Sequence, residues 1–95
     1  MRKYEVMFII RSDLDQETVN AVVEKFLNVI TTNGGEVIKH EVLGKRRLAY
    51  EIQHYRDGIY ALINFNASAK AVAELDRVIR ITDEVIRHLI VKDVA

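Results

Sequence analysis

Arg2-Lys3-Tyr4-Glu5-Val6-Met7-Phe8-Ile9-Ile10-Arg11 is followed, after a short polar break, by Asp15 through Thr32, and the change of hydrophobic period between the two stretches decides the fold. In the first, Tyr4, Val6, Phe8 and Ile10 alternate with Lys3, Glu5, Met7, Ile9 and Arg11. Residues two apart share a face of a strand, so this reads as a strand with one wholly apolar face. In the second, Val19, Val22, Val23, Phe26, Val29 and Ile30 recur at steps of three and four, which draws one apolar stripe on a helix. Ser12-Asp13-Leu14-Asp15 supplies N-cap residues between them, and Asp13, Asp15 and Glu17 suit the positive end of the helix dipole. Asn33-Gly34-Gly35 ends the helix, because Gly accepts a left-handed C-cap.

The rest of the chain repeats the alternation of periods. Glu36 to Leu43 reads as a second strand, continued by Gly44 to Ile52 with a basic centre. Val37 and Val42 lie an odd number of residues apart, which a bulge reconciles. Gln53 to Gly58 is turn-like, and Asp57-Gly58 is the hairpin signal. Ile59 to Asn66 is a third strand. It has Ile59, Ala61, Ile63 and Phe65 on one face and Tyr60, Leu62, Asn64 and Asn66 on the other. Ser68 is placed to cap a second helix, over about 69–81, whose stripe is Val72, Leu75, Val78 and Ile79. Thr82-Asp83-Glu84 breaks it, and Val85 to Lys92 is a fourth strand, rich in β-branched and apolar residues.

Strand, helix, strand, strand, helix, strand is the order of an α+β, ferredoxin-like split βαβ sandwich: one four-stranded antiparallel sheet with both helices on one face. Right-handed crossovers put strands one and three in the centre, with four beside one and two beside three. The 95 residues suit one domain, residues 1–95. With 49% hydrophobic and 29% charged residues, the mix is that of a folded domain and not of a disordered tail.

The helices need the more apolar sheet face, so Val6, Phe8, Ile10, Ile63 and Phe65 go inside. The open face then carries Met7, Ile9, Tyr60 and Leu62 on the central strands, joined by Leu89 and Val91 from the fourth. A cluster of large apolar groups on one exposed face marks a partner site, and no tail remains beyond the fourth strand to fold over it. Tyr60 and Tyr4 invite a base-stacking reading, but that mode needs several aromatics on adjacent central strands. The first strand offers Met7 and Ile9 instead, so protein contact is the expectation.

The 14 Lys and Arg balance the 14 Asp and Glu, which excludes a uniformly basic nucleic-acid binder but not a basic patch. The charges are segregated. Residues 13–36 hold Asp13, Asp15, Glu17, Glu24 and Glu36 against Lys25 alone, whereas the strands and the end of the second helix are basic. Arginine pairs bidentately with phosphate, although Lys45-Arg46-Arg47 could equally keep a strand edge from pairing with another chain. Catalytic constellations are missing. There is no Cys, and His40, His54 and His88 lack metal-ligand spacing. His54 is expected in a solvated turn, and His88, between apolar neighbours, as a structural histidine. No cofactor is expected. No apolar run approaches the roughly 18–20 residues of a membrane helix, and no signal peptide is evident, so a cytosolic protein is expected. Asn66-Ala67-Ser68 is then a chance sequon.

Three blocks carry a resemblance: Met1-Arg2-Lys3-Tyr4-Glu5-Val6-Met7, Gly44-Lys45-Arg46-Arg47-Leu48-Ala49-Tyr50-Glu51-Ile52, and Asp83 through Lys92. Together they resemble the bacterial small-subunit ribosomal protein six family over essentially the whole chain. The resemblance implies the split βαβ fold, no enzymatic activity and a place in the ribosome. It implies binding to the central domain of small-subunit (16S) ribosomal RNA, as a heterodimer with ribosomal protein eighteen. Arg2, Lys3, Arg46 and Arg47, with Arg80, Arg87 and Lys92, are then the expected phosphate contacts. Met7, Ile9, Tyr60 and Leu62 are the expected protein contact. Many family members carry an acidic C-terminal extension. This sequence ends Lys92-Asp93-Val94-Ala95, so no tail modification is expected to carry over. Two other classes share the fold. A small-molecule-sensing domain would need a pocket between domains or subunits. An acyl-phosphate hydrolase would need a Gly-rich anion loop before the first helix, where Arg11-Ser12-Asp13-Leu14-Asp15 is acidic instead.

Overall fold

The computed structural model describes residues 1–92; the end of the chain, on which the expectation about an acidic extension falls, lies outside the described residues. The elements are β1 (Arg2–Arg11), α1 (Gln16–Thr32), β2 (Glu36–Ile52), β3 (Tyr55–Ala67), α2 (Ala69–Arg80) and β4 (Val85–Lys92). The sheet is antiparallel in the order β2-β3-β1-β4, as right-handed crossovers require.

Local chemistry sets the helix ends. The Asp15 carboxylate accepts from the Thr18 amide at 2.8 Å, and hydrogen bonding from Thr18 holds its pKa below the ordinary aspartate value. Ser68 Oγ accepts from the Ala71 amide at 3.2 Å. α1 stops at Asn33, whose side chain donates to the Val29 carbonyl, and the chain turns away through Gly34 at φ +83. The Thr82 hydroxyl donates to the Val78 carbonyl at 2.6 Å and satisfies a buried group at the end of α2.

Both helices cover one face of the sheet. Val6, Phe8, Ile10, Ile63 and Phe65 are fully buried there, against Val19, Phe26 and Ile30 of α1 and Leu75 and Ile79 of α2. Phe8 and Phe26 meet edge-to-face with ring centroids 5.0 Å apart. Tyr4 stacks on Phe65 at 5.8 Å within this layer, which removes it from any base-stacking role on the opposite face.

The pairing of β2 with β3 shifts register between Val37 and Lys39, and this one bulge reconciles the odd spacing of Val37 and Val42 as expected; further shifts follow at Val42/Gly44 and Arg47/Ile52. The position of the hairpin turn departs from expectation. The hairpin does not turn at Asp57-Gly58. Both of those residues lie inside β3, and the turn is Gln53-His54, at φ +49 and +70. Positive φ at both central residues is the geometry whose twist matches the flanking strands. Gly58 serves packing instead: a Cβ there would run into the Ile9 side chain. β3 is therefore longer than the sequence suggested, and the paired ends of β2 and β3 overhang the end of β1 as an arm.

Candidate nucleic-acid and partner interface

Strand register lays out the open face in rows. Glu41, Leu62, Met7 and Leu89 form the middle row from β2 to β4. Lys39, Asn64, Glu5 and Val91 form the next row toward the Arg2 end of β1. Gly44, Tyr60, Ile9 and Arg87 form the next toward the Arg11 end. Met7 is 36% exposed, Leu89 59% and Val91 42%, while Tyr60 and Leu62 are half-buried. The apolar cluster read from the sequence is thus contiguous, with Glu5 and Glu41 at its margins.

Ile9 requires a correction. It is only 8% exposed and packs with Leu48 and Ile86, flanked by Ile52, Tyr55 and Tyr60. The covering element is neither a tail nor a helix but the arm, which overhangs β1 from Arg47 to Asp57 and has Lys45 and Arg46 at its root. The arm curls across the open face toward β4. Gln53 Nε2 donates to the Ile86 carbonyl at 3.5 Å, and the Arg87 guanidinium donates to the Tyr50 hydroxyl while lying 5.7 Å from the centre of its ring. At its base, Ser12 Oγ donates to Asp57 Oδ1 at 2.6 Å and the Tyr55 hydroxyl donates to Asp13 Oδ2 at 3.5 Å. Ile9 supports the exposed patch from beneath and offers no surface to a partner.

The seven expected phosphate contacts are all exposed, but the fold does not gather them. Arg2, Lys3 and Lys92 stand at one end of the sheet. Arg46 and Arg47 stand at the other, about 30 Å from Arg2 along the ten residues of β1, and Arg87 lies toward that end, beside Ile9. Arg80 is at the C-terminal end of α2, on the helix side of the sheet, where Asp76 pairs with it. Asp76 also accepts from His88 Nε2 at 2.7 Å. The His88 hydrogen bond, reinforced by the charge of Arg80, holds the Asp76 carboxyl below the ordinary aspartate pKa. His88 is therefore a structural histidine that ties β4 to α2. His54 projects into solvent from the turn.

Pairing separates the arginines into two classes. Arg11, Arg77 and Arg80 each have a carboxylate in reach, on Asp13, Glu74 and Asp76. Among the described residues, no carboxylate lies within 4.0 Å of Arg2, Lys3, Arg46, Arg47 or Lys92. Arg56, also with no carboxylate within 4.0 Å among the described residues, is not among the expected contacts. With the turn at Gln53-His54 it falls in β3, and it lines a surface hollow with Lys45, Arg46 and Arg47. No local signal marks it: the turn at Gln53-His54 sets the register that pairs Arg47 with Asp57, and so puts Arg56 beside that pair. Among the described residues there is no cluster of three metal-ligating side chains, and no helix is long and apolar enough to cross a membrane.

The comparisons agree with this geometry. A family model described as ribosomal protein S6 matches residues 3–92. The crystal structure of 30S ribosomal protein S6 from Thermotoga maritima superposes with a TM-score of 0.93. It is 33% identical, and the match covers 97% of this chain and 87% of that one. A protein from Arabidopsis thaliana superposes with a TM-score of 0.58 at 13% identity, covering 100% of this chain and 95% of that one, and shares the fold alone. With the family model spanning β1 to β4 and a match of that closeness, the chain belongs to the ribosomal protein S6 family.

Proposed function

We propose that this chain is a structural component of the bacterial small ribosomal subunit, working in the cytoplasm and without catalytic activity. It binds the central domain of small-subunit ribosomal RNA together with ribosomal protein eighteen. The observation that carries the reading is the division of the surface. An apolar ladder of Leu62, Met7 and Leu89 crosses the open sheet face, and arginines without counter-charges stand beyond it on the arm. The ladder fits a protein: covering a fully exposed side chain of this kind is worth about 1.5–3 kcal/mol, and Leu89 and Met7 still offer part of that. The free cations fit phosphate, because a phosphate contact releases counterions. A neutral chain with its cations at two ends needs a partner to bind RNA strongly, and the partner is expected to bring further positive charge.

Binding of small-subunit ribosomal RNA by the chain and ribosomal protein eighteen together, measured from 50 to 200 mM salt, tests this. Arg46→Gln with Arg47→Gln should weaken binding and lower the salt slope by about 0.7–0.9 for each phosphate that is no longer neutralised, leaving the urea midpoint unchanged. Unaltered binding by the double variant would mean that the central basic block only guards the β2 edge.

A further inference from the structure

The arm carries two hollows that the sequence does not announce. The first, of about 420 Å³, is lined by Lys45, Arg46, Arg47, Arg56 and Asp57. The second, of about 310 Å³, adjoins it through Arg47 and Arg56 and continues past Leu48 and Ala49 to Tyr50 and Glu51. Arg47 and Arg56 therefore stand between the two, on neighbouring strands. Among the described residues none of the four cations has a carboxylate within 4.0 Å. The one carboxylate in the first hollow, Asp57, accepts from Ser12. Asp57 is also the residue paired with Arg47, and four cations against that one carboxylate leave the first hollow net positive, which favours an anion there.

The arm is also fixed in place. Leu48 is packed on Ile9 and Ile86, Tyr50 is held by Arg87, and Asp57 is tied to Ser12. Such a site binds without first paying to order a loop. β2 is an edge strand, with outward amide groups that can also donate to phosphate oxygens. Lys45 and Arg47 are two residues apart along it, about 7 Å, a separation comparable to that of successive phosphates on a nucleic-acid strand.

We infer that Lys45 and Arg56 complete, with Arg46 and Arg47, a cradle for adjacent phosphates of an RNA backbone. This rests on the RNA-binding role proposed above and adds to it two residues and the geometry that holds them. Arg47 and Arg56 line both hollows, and Lys45 and Arg46 line the first. The contacts reach phosphates and not base edges, so the cradle positions the RNA without reading its sequence.

The test uses the full chain with ribosomal protein eighteen and small-subunit ribosomal RNA, titrated at salt from 50 to 200 mM. Arg56→Gln and Lys45→Gln should each lower the slope of log affinity against log salt by about 0.7–0.9, so that affinity changes about threefold less across that range. Arg56→Lys should keep the slope, since charge is what the phosphate requires. Circular dichroism and the urea midpoint confirm that each variant is folded. Wild-type slopes for Arg56→Gln and Lys45→Gln, with a reduced slope for the Arg46 and Arg47 double variant, would overturn the cradle and leave the RNA-binding reading standing. Increased self-association of Arg56→Gln with unchanged RNA affinity would overturn it in favour of edge protection. If the wild-type complex does not bind the RNA, the RNA-binding reading itself falls and the cradle with it.

Discussion

The two faces of the sheet are held by different kinds of packing. On the helix side, residues from β1, β3, α1 and α2 form one continuous buried cluster, with Phe8, Phe26 and Phe65 fully enclosed. On the open side the buried cluster among the described residues is Ile9 and Ile86, covered by Leu48 of an arm made by a single hairpin. The first cluster removes enough apolar surface from water to hold the chain folded. The second is too small for that and instead holds the cation-bearing arm at a set angle to the exposed ladder. Stability and positioning are thus lodged on opposite faces of one sheet, and substitutions should separate them.

The largest effect should come from the helix side. Phe8→Ala leaves a cavity where α1 and the sheet meet, and should cost about 3–5 kcal/mol in a urea melt. A cost comparable to that of the arm substitutions would erase the distinction between the faces. Gly58→Ala comes next. Its new Cβ meets Ile9, so Ile9 or the arm must shift, at a cost of about 1–3 kcal/mol. The shift should increase the exposure of Leu48 and Tyr50 to hydrogen exchange or solvent probes, while the protection of α1 stays as in the wild type. Uniform loss of protection would show that the arm and the core are one cooperative unit.

Leu62→Asp should be smaller still in stability, within about 1 kcal/mol, because Leu62 is half-buried on the open face. Its effect should appear in calorimetric titration with ribosomal protein eighteen, as loss of measurable binding, since a carboxylate would stand unpaired in the contact. If the domain unfolds, Leu62 belongs to the stabilising set. If partner affinity is unchanged, the partner docks on an edge strand. Asp76→Asn should have the mildest consequence. The folded Asp76 pKa is depressed, so its stabilising contribution is present above the ordinary aspartate value and is lost as pH falls below about 4. The difference in urea midpoint between wild type and Asp76→Asn should therefore be present at pH 6 and shrink toward pH 2. A difference independent of pH would mean that the His88 and Arg80 contacts with Asp76 do not act through its charge.

The elements, their order, the strand neighbours and the inward face are all legible in the sequence. Each depends on near neighbours along the chain: a two-residue period for Val6, Phe8 and Ile10, a stripe at three and four for Val19 to Ile30, and caps at Asp15 and Ser68 whose partners lie three residues away. The neutral charge balance and the segregation of cations can also be read directly. The family resemblance adds the expectation of an RNA and a protein partner. The turn, the fate of Ile9 and the company of Arg56 are not legible, because they depend on contacts between residues far apart in the chain.

Asp57-Gly58 satisfies the local rule for a hairpin turn better than Gln53-His54, whose two non-glycine residues must adopt positive φ. What decides between them is that Gly58 must pass close to Ile9, which lies far earlier in the chain. Alternation assigns Ile9 to the open face correctly. Whether that face is open above Ile9 depends on bulges and twist in β2 and β3, which bring Leu48 and Tyr50 over to Ile86 and Arg87. The amino-acid sequence by itself determined which residues form strands and helices and which side of each is apolar, since those follow from period and propensity along the chain. Only the tertiary structure decided how far the hairpin overhangs, what it covers and which cations it draws together, because sheet curvature and close packing sum over residues no local window contains.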